Sequence, residues 1–264
     1  MFGMFRALWC YRGFVKSSIR NELVARFARS RLGGLWMIIH PLAQVAIYAL
    51  ILSNVLAAKL PGIDNKYAYA LYLMAGMLAW NLFSEIVSRC LSLFVEQGNL
   101  MKKMSFPRIT LPVIVIGSSL LNNVLLFAAL LLVFALLGHA PTVEILWLLP
   151  LTLTVVALAV GIGLVLGVIN VFVRDIGQVM PIILQVWFWF TPIVYPVSIL
   201  SDSIKDMMRF NPLFPIVTAY QDILVYGKSP DVQVISTTAV VALGLLMLGL
   251  FLFRRAAPEM VDAL

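Results

Sequence analysis

Ionisable residues are sparse in the long apolar stretches of this chain, and their positions limit the chemistry that it can support. Glu85 precedes Arg89 by four residues, a spacing and an orientation that favour an ion pair on a helix. His40 stands directly before Pro41, and His139 lies in a short connection between apolar stretches. Because proton and ion relays need charged groups at membrane depth, this distribution disfavours an ion-coupled transporter or an intramembrane enzyme.

Two glycine-containing stretches resemble phosphate-binding motifs but lack the context of such motifs. Gly161, Gly163 and Gly167 lie inside an unbroken apolar run, where the last two fit the small-xxx-small spacing of close helix packing. The sequence GKS from Gly227 ends like a phosphate loop, but Asp222 replaces the first glycine of that loop. We therefore expect this chain to bind no cofactor or metal, and any uphill transport to draw its energy from a partner.

Composition indicates a membrane protein. Of 264 residues, 62% are hydrophobic and 12% are charged, and the mean hydropathy is +1.00, outside the range of soluble domains. Several apolar stretches exceed the roughly 18 residues that make a transmembrane helix candidate. The sequence predicts an all-α integral membrane protein with six transmembrane helices, at 35–57, 68–88, 111–137, 145–173, 178–199 and 232–253.

The basic residues predict the orientation of these spans. Of the 19 lysines and arginines, fourteen fall on the side of the termini and five on the other side. We therefore expect both termini to be cytoplasmic. The predicted regions are a cytoplasmic amphipathic interface segment at 1–34, a six-span domain at 35–253 and a cytoplasmic tail at 254–264.

Two segments are predicted to lie along the membrane. Arg12, Lys16 and Arg20 run beside an apolar stripe, which is typical of an interfacial helix. The mostly apolar stretch from Phe214 to Tyr226 is too short to span a bilayer of about 30 Å. The outer segment 200–231 is therefore predicted to be re-entrant or interfacial, before the last span.

A short basic segment, GNLMKKMSFPRITLP from Gly98 to Pro112, separates the second and third predicted spans. Pro112 suits the first turn of a helix, whereas Pro107 favours an extended Phe106. The stretch 96–105 is therefore predicted to be a short basic helix at the cytoplasmic side. Its lysines could face lipid phosphates, or a partner protein could act on it.

Three stretches in this order resemble the ABC transporter permeases that export polysaccharide, the O-antigen permeases in particular. They are LMKKMSFPRITLP, VFVRDIGQVMPIILQVWFWFTPIVYPVSIL and FNPLFPIVTAYQDILVYGKSP, and the resemblance covers essentially the whole chain. It implies a transport subunit, not an enzyme, that exports lipid-diphosphate-linked polysaccharide across the bacterial inner membrane. It also implies a dimer of this chain with two separate ATPases, which would bind the ATP and Mg.

The resemblance further implies that a coupling helix within the loop 96–110 docks into a groove of the ATPase. Its residues would be Leu100, Met101, Lys102, Lys103, Ser105, Phe106, Pro107 and Arg108. Arg26, Arg29 and Arg31 precede the first span, where they would either bind the lipid diphosphate through bidentate contacts or only anchor the helix.

Aromatic residues suggest a path for the glycan. Trp187 and Phe190 are predicted to share a helix face, whereas Trp189 points elsewhere. Together with Tyr48 and Tyr195, they would line a channel by stacking on the apolar faces of sugar rings, or form an aromatic belt at the interface. The same fold could instead export teichoic acid, capsule or a small amphiphile. An ion-coupled lipid flippase or a membrane transferase is the alternative from another class.

Overall fold

The computed structural model describes residues 9–28, 33–36, 39, 43, 68–103, 107–136 and 142–263. Side chains are described in these ranges except at 26–28, 34, 68, 103, 136 and 261–263. The described part is helical, with no strand in these ranges. The predicted first span, 35–57, lies outside them apart from residues 35, 36, 39 and 43.

The described helices are numbered here in chain order, and short 3₁₀ turns and one π-helical segment connect them. The α-helices are α1 Arg12–Ala28, α2 Ala68–Glu96, α3 Gly98–Lys103, α4 Thr110–Leu136, α5 Leu148–Phe172, α6 Asp175–Trp189, α7 Asp202–Met208, α8 Phe214–Gln221 and α9 Val232–Ala263. The π-helical segment is Asp222–Tyr226 and directly continues α8.

Four of the described helical stretches are long and apolar enough to cross a membrane. They are Tyr69–Glu96, Thr110–Ala135, Val143–Phe172 and Val232–Met260, which confirms helices at the second, third, fourth and sixth predicted spans. The helix α9 continues to Ala263 through the predicted tail, because Arg254 and Arg255 are helix-compatible residues that extend it beyond its apolar part.

The helix at the fifth predicted span is not among these four stretches, and it ends earlier than the sequence suggested. The helix α6 stops at Trp189, and residues 190–196 form turns, so the prediction of a helix up to residue 199 is wrong. The physical reason is Pro192, which lacks an N–H and disfavours helical backbone at Thr191. The hydroxyl of Thr191 donates to the carbonyl of Trp187 at 2.9 Å within the last helical turn.

The helix α6 runs antiparallel to α2 along most of its length. At one end, the Gly177 amide donates to Asn170, whose own amide donates to the carbonyl of Leu91 in α2. At the other end, the Tyr72 hydroxyl of α2 lies 3.3 Å from the carbonyl of Pro192. The segment 177–192 therefore passes from the Leu91 level of α2 to the Tyr72 level.

The helix α5 lies at the centre of the bundle and packs against α2 and α9 through its glycines. A Cβ added to Gly163 would lie 2.7 Å from the Cβ of Cys90 in α2, and one added to Gly167 would meet the carbonyl oxygen of Cys90. A Cβ added to Gly161 would lie 2.6 Å from the carbonyl carbon of Leu245 in α9. The prediction that Gly163 and Gly167 serve helix packing is confirmed, and Gly161 packs closely as well.

The two segments predicted to lie along the membrane form short helices packed on the bundle. In α1, the predicted stripe turns inward: Val15 is buried, and Ile19 contacts Gly117 of α4. In the outer segment, Ile216 and Tyr220 of α8 are buried, and the Tyr220 hydroxyl lies 2.7 Å from the hydroxyl of Thr152 in α5. Neither α7 nor α8 is long enough to cross a membrane.

Candidate functional site

The predicted basic helix exists as α3, which follows α2 after a single residue. Gln97 continues the hydrogen bonding of both helices, because its amide donates to Leu93 and its carbonyl accepts from Met101. Beyond the helix, the Thr110 hydroxyl and amide both donate to the carbonyl of Pro107, at 2.8 and 2.9 Å. These bonds fix the start of α4 and hold the α3 segment at the end of α2.

The predicted coupling residues divide into buried anchors and an exposed side. Met101 is buried in the hydrophobic core, and Leu100 packs partly against that core. The guanidinium of the half-buried Arg108 donates to the carbonyl of Ala257 near the end of α9. Lys102 is exposed. Arg108 thus has a structural contact that the sequence did not indicate, and Lys102 is available to a partner.

Several predicted site residues cannot be placed. The side chains of Arg26 and Lys103 lie outside the described residues, and so do the whole of Arg29, Arg31, Tyr48, Ser105 and Phe106.

A polar network joins α1, α2 and α4 at the level of Arg89. The guanidinium donates to Glu22 of α1 at 2.5 Å and to the hydroxyls of Ser118 and Ser119 of α4 at 2.6 and 3.1 Å. Arg89 also lies 3.6 Å from Glu85, which confirms the predicted ion pair. The contacts with α1 and α4 were missed, because sequence spacing indicates partners only within one helix.

Glu85 extends this network further along α4. Its carboxylate accepts a hydrogen bond of 2.8 Å from the amide of Asn122. Beside the network lies a cavity of about 590 Å³ between α1, α2, α3 and the start of α4, whose lining includes Glu22, Arg89, Glu96 and Leu100. The charged network and the α3 segment therefore border one cavity.

The predicted aromatic residues have different environments. Trp187 packs edge-on against Phe83 with ring centroids 5.1 Å apart. Trp189 and Phe190 are 51% and 46% exposed. Phe188 had no predicted role; its ring is buried and packs edge-on against Trp80. Trp189 and Phe190 are thus the accessible rings at the end of α6.

Hydrogen bonds fix the polar atoms of two of these aromatic residues. The indole N–H of Trp187 donates to Asn211 at 2.8 Å, and the Tyr195 hydroxyl donates to the carbonyl of Trp189 at 2.5 Å. Asn211 also donates to the carbonyl of Phe190 at 3.1 Å. Asn211 therefore ties the end of α6 to the outer segment. The one feature of the sequence that points to Asn211 is its position before Pro212, which indicates a turn.

The described part of the chain contains no group of three or more His, Cys, Asp and Glu residues that could hold a metal ion. The features that it does contain are long apolar helices, a short helix with an exposed lysine at one end of the bundle, and aromatic residues at the end of α6. The long apolar helices suit a multi-pass membrane protein.

Comparison with known proteins gives the class. Residues 14–225 match the family described as ABC-2 type transporter, which is most of the chain. The chain therefore belongs to the ABC-2 type transporter family of multi-pass membrane proteins.

Individual relatives are similar over nearly their whole length. The chain is 28% identical to the O-antigen export system permease protein RfbA of Myxococcus xanthus, with 100% of both chains covered. It is 26% identical to a protein of the same name from Klebsiella pneumoniae, with 92% of each chain covered. It is 25% identical to the polysialic acid transport protein KpsM of Escherichia coli, over 94% of this chain and 95% of that protein.

Proposed function

We propose that this chain is the permease subunit of an ATP-driven exporter of lipid-diphosphate-linked polysaccharide of the O-antigen type. The polysaccharide would cross the bacterial inner membrane from the cytoplasm. The observation that carries the proposal is the similarity to an O-antigen export permease over the full length of both chains. It is supported by the bundle of long apolar helices, by the helix α1 packed on that bundle, and by the helix α3 with an exposed lysine at one end of it.

Six membrane spans with both termini in the cytoplasm are part of this proposal. The contacts of α5 and α9 give the supporting argument: Gly161 lies by Leu245, and Leu164 lies by Gly249, so the two helices run in the same direction. A chain that leaves α5 and enters α9 in the same direction has to cross back in between. In this proposal the antiparallel α6 and the turns up to Pro192 would make this crossing, and the outer segment 200–231 would then be re-entrant.

A separate ATPase would bind the ATP and Mg and hydrolyse the nucleotide, with two ATPases acting on a dimer of this chain. The coupling surface would be Leu100, Met101, Lys102, Lys103, Ser105, Phe106, Pro107 and Arg108. The exposed Lys102 would touch the ATPase, whereas Met101 and Arg108 would pass its movement to the core and to α9, which they contact.

Substrate contacts are proposed at both ends of the path. Arg26, Arg29 and Arg31 would bind the diphosphate at the headgroup level, since guanidinium groups match phosphate oxygens. Tyr48, Trp187, Trp189, Phe190 and Tyr195 would line the glycan channel. The exposure of Trp189 and Phe190 favours them as the rings that stack on sugars. The indole N–H of Trp187 is bonded to Asn211 and its ring packs against Phe83, which favours a position in the channel wall.

A second candidate is export of an acidic polysaccharide on the same fold. The similarity to a protein named for polysialic acid transport favours it. The net charge of +7 of this chain is compatible with a polyanionic substrate. The two candidates differ in the glycan and share the mechanism.

The test is deletion of this reading frame from its own bacterium, with export measured as surface glycan by immunoblot. We expect the deletion to abolish surface glycan and to leave lipid-linked glycan inside the cell, and the wild-type chain to restore export. The purified chain should capture an ABC ATPase from the membrane extract and hydrolyse ATP only with it. Normal surface glycan in the deletion strain would refute the proposed function.

A further inference from the structure

A cavity of about 390 Å³ opens between the outer end of α2 and the segment that contains α8 and the π-helical turn. Its size falls within the roughly 300–1,000 Å³ of small-molecule sites. Tyr72, Phe214, Thr218, Asp222 and Tyr226 contribute to its wall. We call it the outer cavity, and none of these wall residues belongs to the proposed coupling, diphosphate or channel residues.

The outer cavity contains a carboxylate that the fold does not use. Asp222 is only partly exposed, and no described residue donates a hydrogen bond to its carboxylate. Burial raises the pKa of the Asp222 carboxyl, while the charge of Lys228 lowers it. Because an ionised carboxyl is an acceptor only, it gains most from a ligand that brings hydroxyl or amine donors into the cavity.

Backbone geometry presents the polar and aromatic groups together. The π-helical segment Asp222–Tyr226 places its first and last residues on the cavity wall. Such π-helical turns are rare in proteins, and those that occur are often found at functional sites. The segment ends at Gly227 with φ +61°, where an added Cβ would lie 2.8 Å from Thr142. This left-handed ending turns the chain so that the Lys228 ammonium lies 5.7 Å from the centre of the Tyr226 ring.

The rings of Phe214 and Tyr226 and the hydroxyl of Thr218 also line the cavity. Phe214 and Tyr226 are half-buried, so each keeps part of its ring accessible. The Thr218 hydroxyl donates to the carbonyls of Phe214 and Pro215, at 2.9 and 3.1 Å. Its oxygen therefore keeps acceptor capacity for a ligand hydroxyl.

This combination excludes several ligands and fits one class. A purely apolar ligand would bury the Asp222 carboxylate without a hydrogen-bond partner, which is unfavourable in free energy. A metal ion would lack further carboxylate, thiolate or imidazole ligands among the described residues. A sugar unit has hydroxyl donors at its edge, which suit Asp222 and Thr218, and an apolar C–H face, which suits the rings of Phe214 and Tyr226.

We propose that the outer cavity is a sugar-binding subsite, in which Asp222 and Thr218 accept hydroxyl groups of one sugar unit and the rings of Phe214 and Tyr226 contact its face. The inference rests on the proposed function, because the sugar would belong to the exported polysaccharide. It adds a site at the outer end of the path, on residues outside the aromatic set of α6. A unit held there would be the one that has just crossed the membrane.

The direct test is photocrosslinking in cells that make their own glycan. A benzophenone amino acid replaces Tyr226 in the full-length chain, and the same amino acid replaces Phe251, which is 59% exposed in α9, as a matched control. After irradiation, the purified chain is probed with antiserum against the surface glycan of the same cells. We expect a glycan-bearing product at position 226 and none at position 251.

Asp222→Asn tests the hydrogen bonds without changing the shape of the side chain. Loss of bonds to a charged group should lower the crosslink yield at a second reporter, Phe214, about tenfold. The control is Asp206→Asn, which removes an exposed carboxylate paired with Arg209 at 3.3 Å in the same outer segment. It should leave the yield unchanged, and both variants are compared at equal membrane content.

The outcomes separate this inference from the proposed function. Deletion and complementation in the same strain report whether the chain exports glycan at all. If the wild-type chain restores surface glycan but position 226 gives no crosslink, or if Asp222→Asn crosslinks at Phe214 like wild type, the subsite is refuted while the export function stands. A crosslink at 226, together with a crosslink yield at the Phe214 reporter that falls with Asp222→Asn and persists with Asp206→Asn, supports the subsite.

Discussion

Arg89 is the residue on which three helices depend for their polar contacts. It binds Glu22 of α1 and the hydroxyls of Ser118 and Ser119 of α4, and it lies beside Glu85 of its own helix. The side chains of Arg89 and Glu22 are 21% and 27% exposed, so water compensates only in part for a lost partner. The short helix α1 therefore owes part of its position to one charged contact.

Arg89→Ala should destabilise the chain by about 1.5–3 kcal/mol, because hydrogen bonds to charged groups are lost and carboxylates remain half-buried. Thermal unfolding of the detergent-purified chain measures this as a lower Tm. The Tm of Arg89→Lys should lie between those of the wild type and Arg89→Ala, since a lysine retains the charge but cannot bond several groups in a fork. Arg174→Ala, which removes an exposed arginine, is the control, and equal loss in both alanine variants would contradict the prediction.

The proposed diphosphate site can be tested through arginine geometry. Arg29→Lys with Arg31→Lys keeps the positive charge and loses the bidentate fork. If these residues bind diphosphate, surface glycan at matched membrane content should fall by about an order of magnitude, given about 1.5–3 kcal/mol for each charge-assisted bond. Unchanged export on the immunoblot would favour a role as membrane anchors.

At the residue scale, the sequence predicts local contacts and misses tertiary ones. Glu85 and Arg89 could be paired from their spacing, because one helical turn brings them together. Glu22 is 67 residues from Arg89 along the chain, and no periodicity connects the two. Asn211 and Asp222 were not predicted as site residues, because their importance depends on where α6 ends and where the outer segment folds back.

The helix α3 combines an anchor and an exposed surface, and these should respond differently to substitution. Lys102→Glu alone should leave the Tm unchanged, because Lys102 is exposed and an exposed charge contributes mainly to association. Combined with Phe106→Ala, it should reduce copurification of the ATPase several-fold. Met101→Ala, at a buried position, should instead lower stability by about 2–5 kcal/mol. Full ATPase capture and export by the double variant would remove the proposed coupling role.

The glycine contacts of α5 should be intolerant of a single methyl group. Gly167→Ala places a Cβ against the carbonyl oxygen of Cys90, which belongs to the backbone of α2 and cannot rotate away. We expect a loss of about 1–3 kcal/mol, typical of overpacking, measured as a lower Tm. Gly244→Ala in α9 meets nothing within 4 Å and should be neutral or stabilising; a similar loss there would contradict the packing argument.

At the element scale, apolar runs predict that helices exist better than where they end. The run that contains α6 continues beyond Pro192, so hydropathy predicted a helix to residue 199, whereas backbone sterics end it at Trp189. The opposite happens in α9, where helical backbone outlasts the apolar run and reaches Ala263. Spacing also predicted that Gly163 packs closely, but only the fold identifies Cys90 as its neighbour.

At the scale of the whole molecule, the asymmetry of basic residues predicts which end of the bundle faces the cytoplasm. In a Cys10→Ser background, Lys102→Cys should resist an impermeant thiol reagent on intact cells, and Arg209→Cys should react. Both native side chains are exposed in the structure, so accessibility of the site itself does not separate them. Reaction at position 102 in intact cells would overturn the proposed topology.

The close approach of α2, α5 and α9 has a mechanical consequence. Where the backbone of one helix rests on the backbone of another, as at Gly161 against Leu245 and Gly167 against Cys90, no rotamer change can absorb a displacement. We therefore expect the three helices to form a stiff frame that moves as a single body. In the proposed exporter, the opening for a wide substrate would then come from parts mounted on this frame, such as α1, α6 and the outer segment, or from one frame tilting against that of the second copy in the proposed dimer.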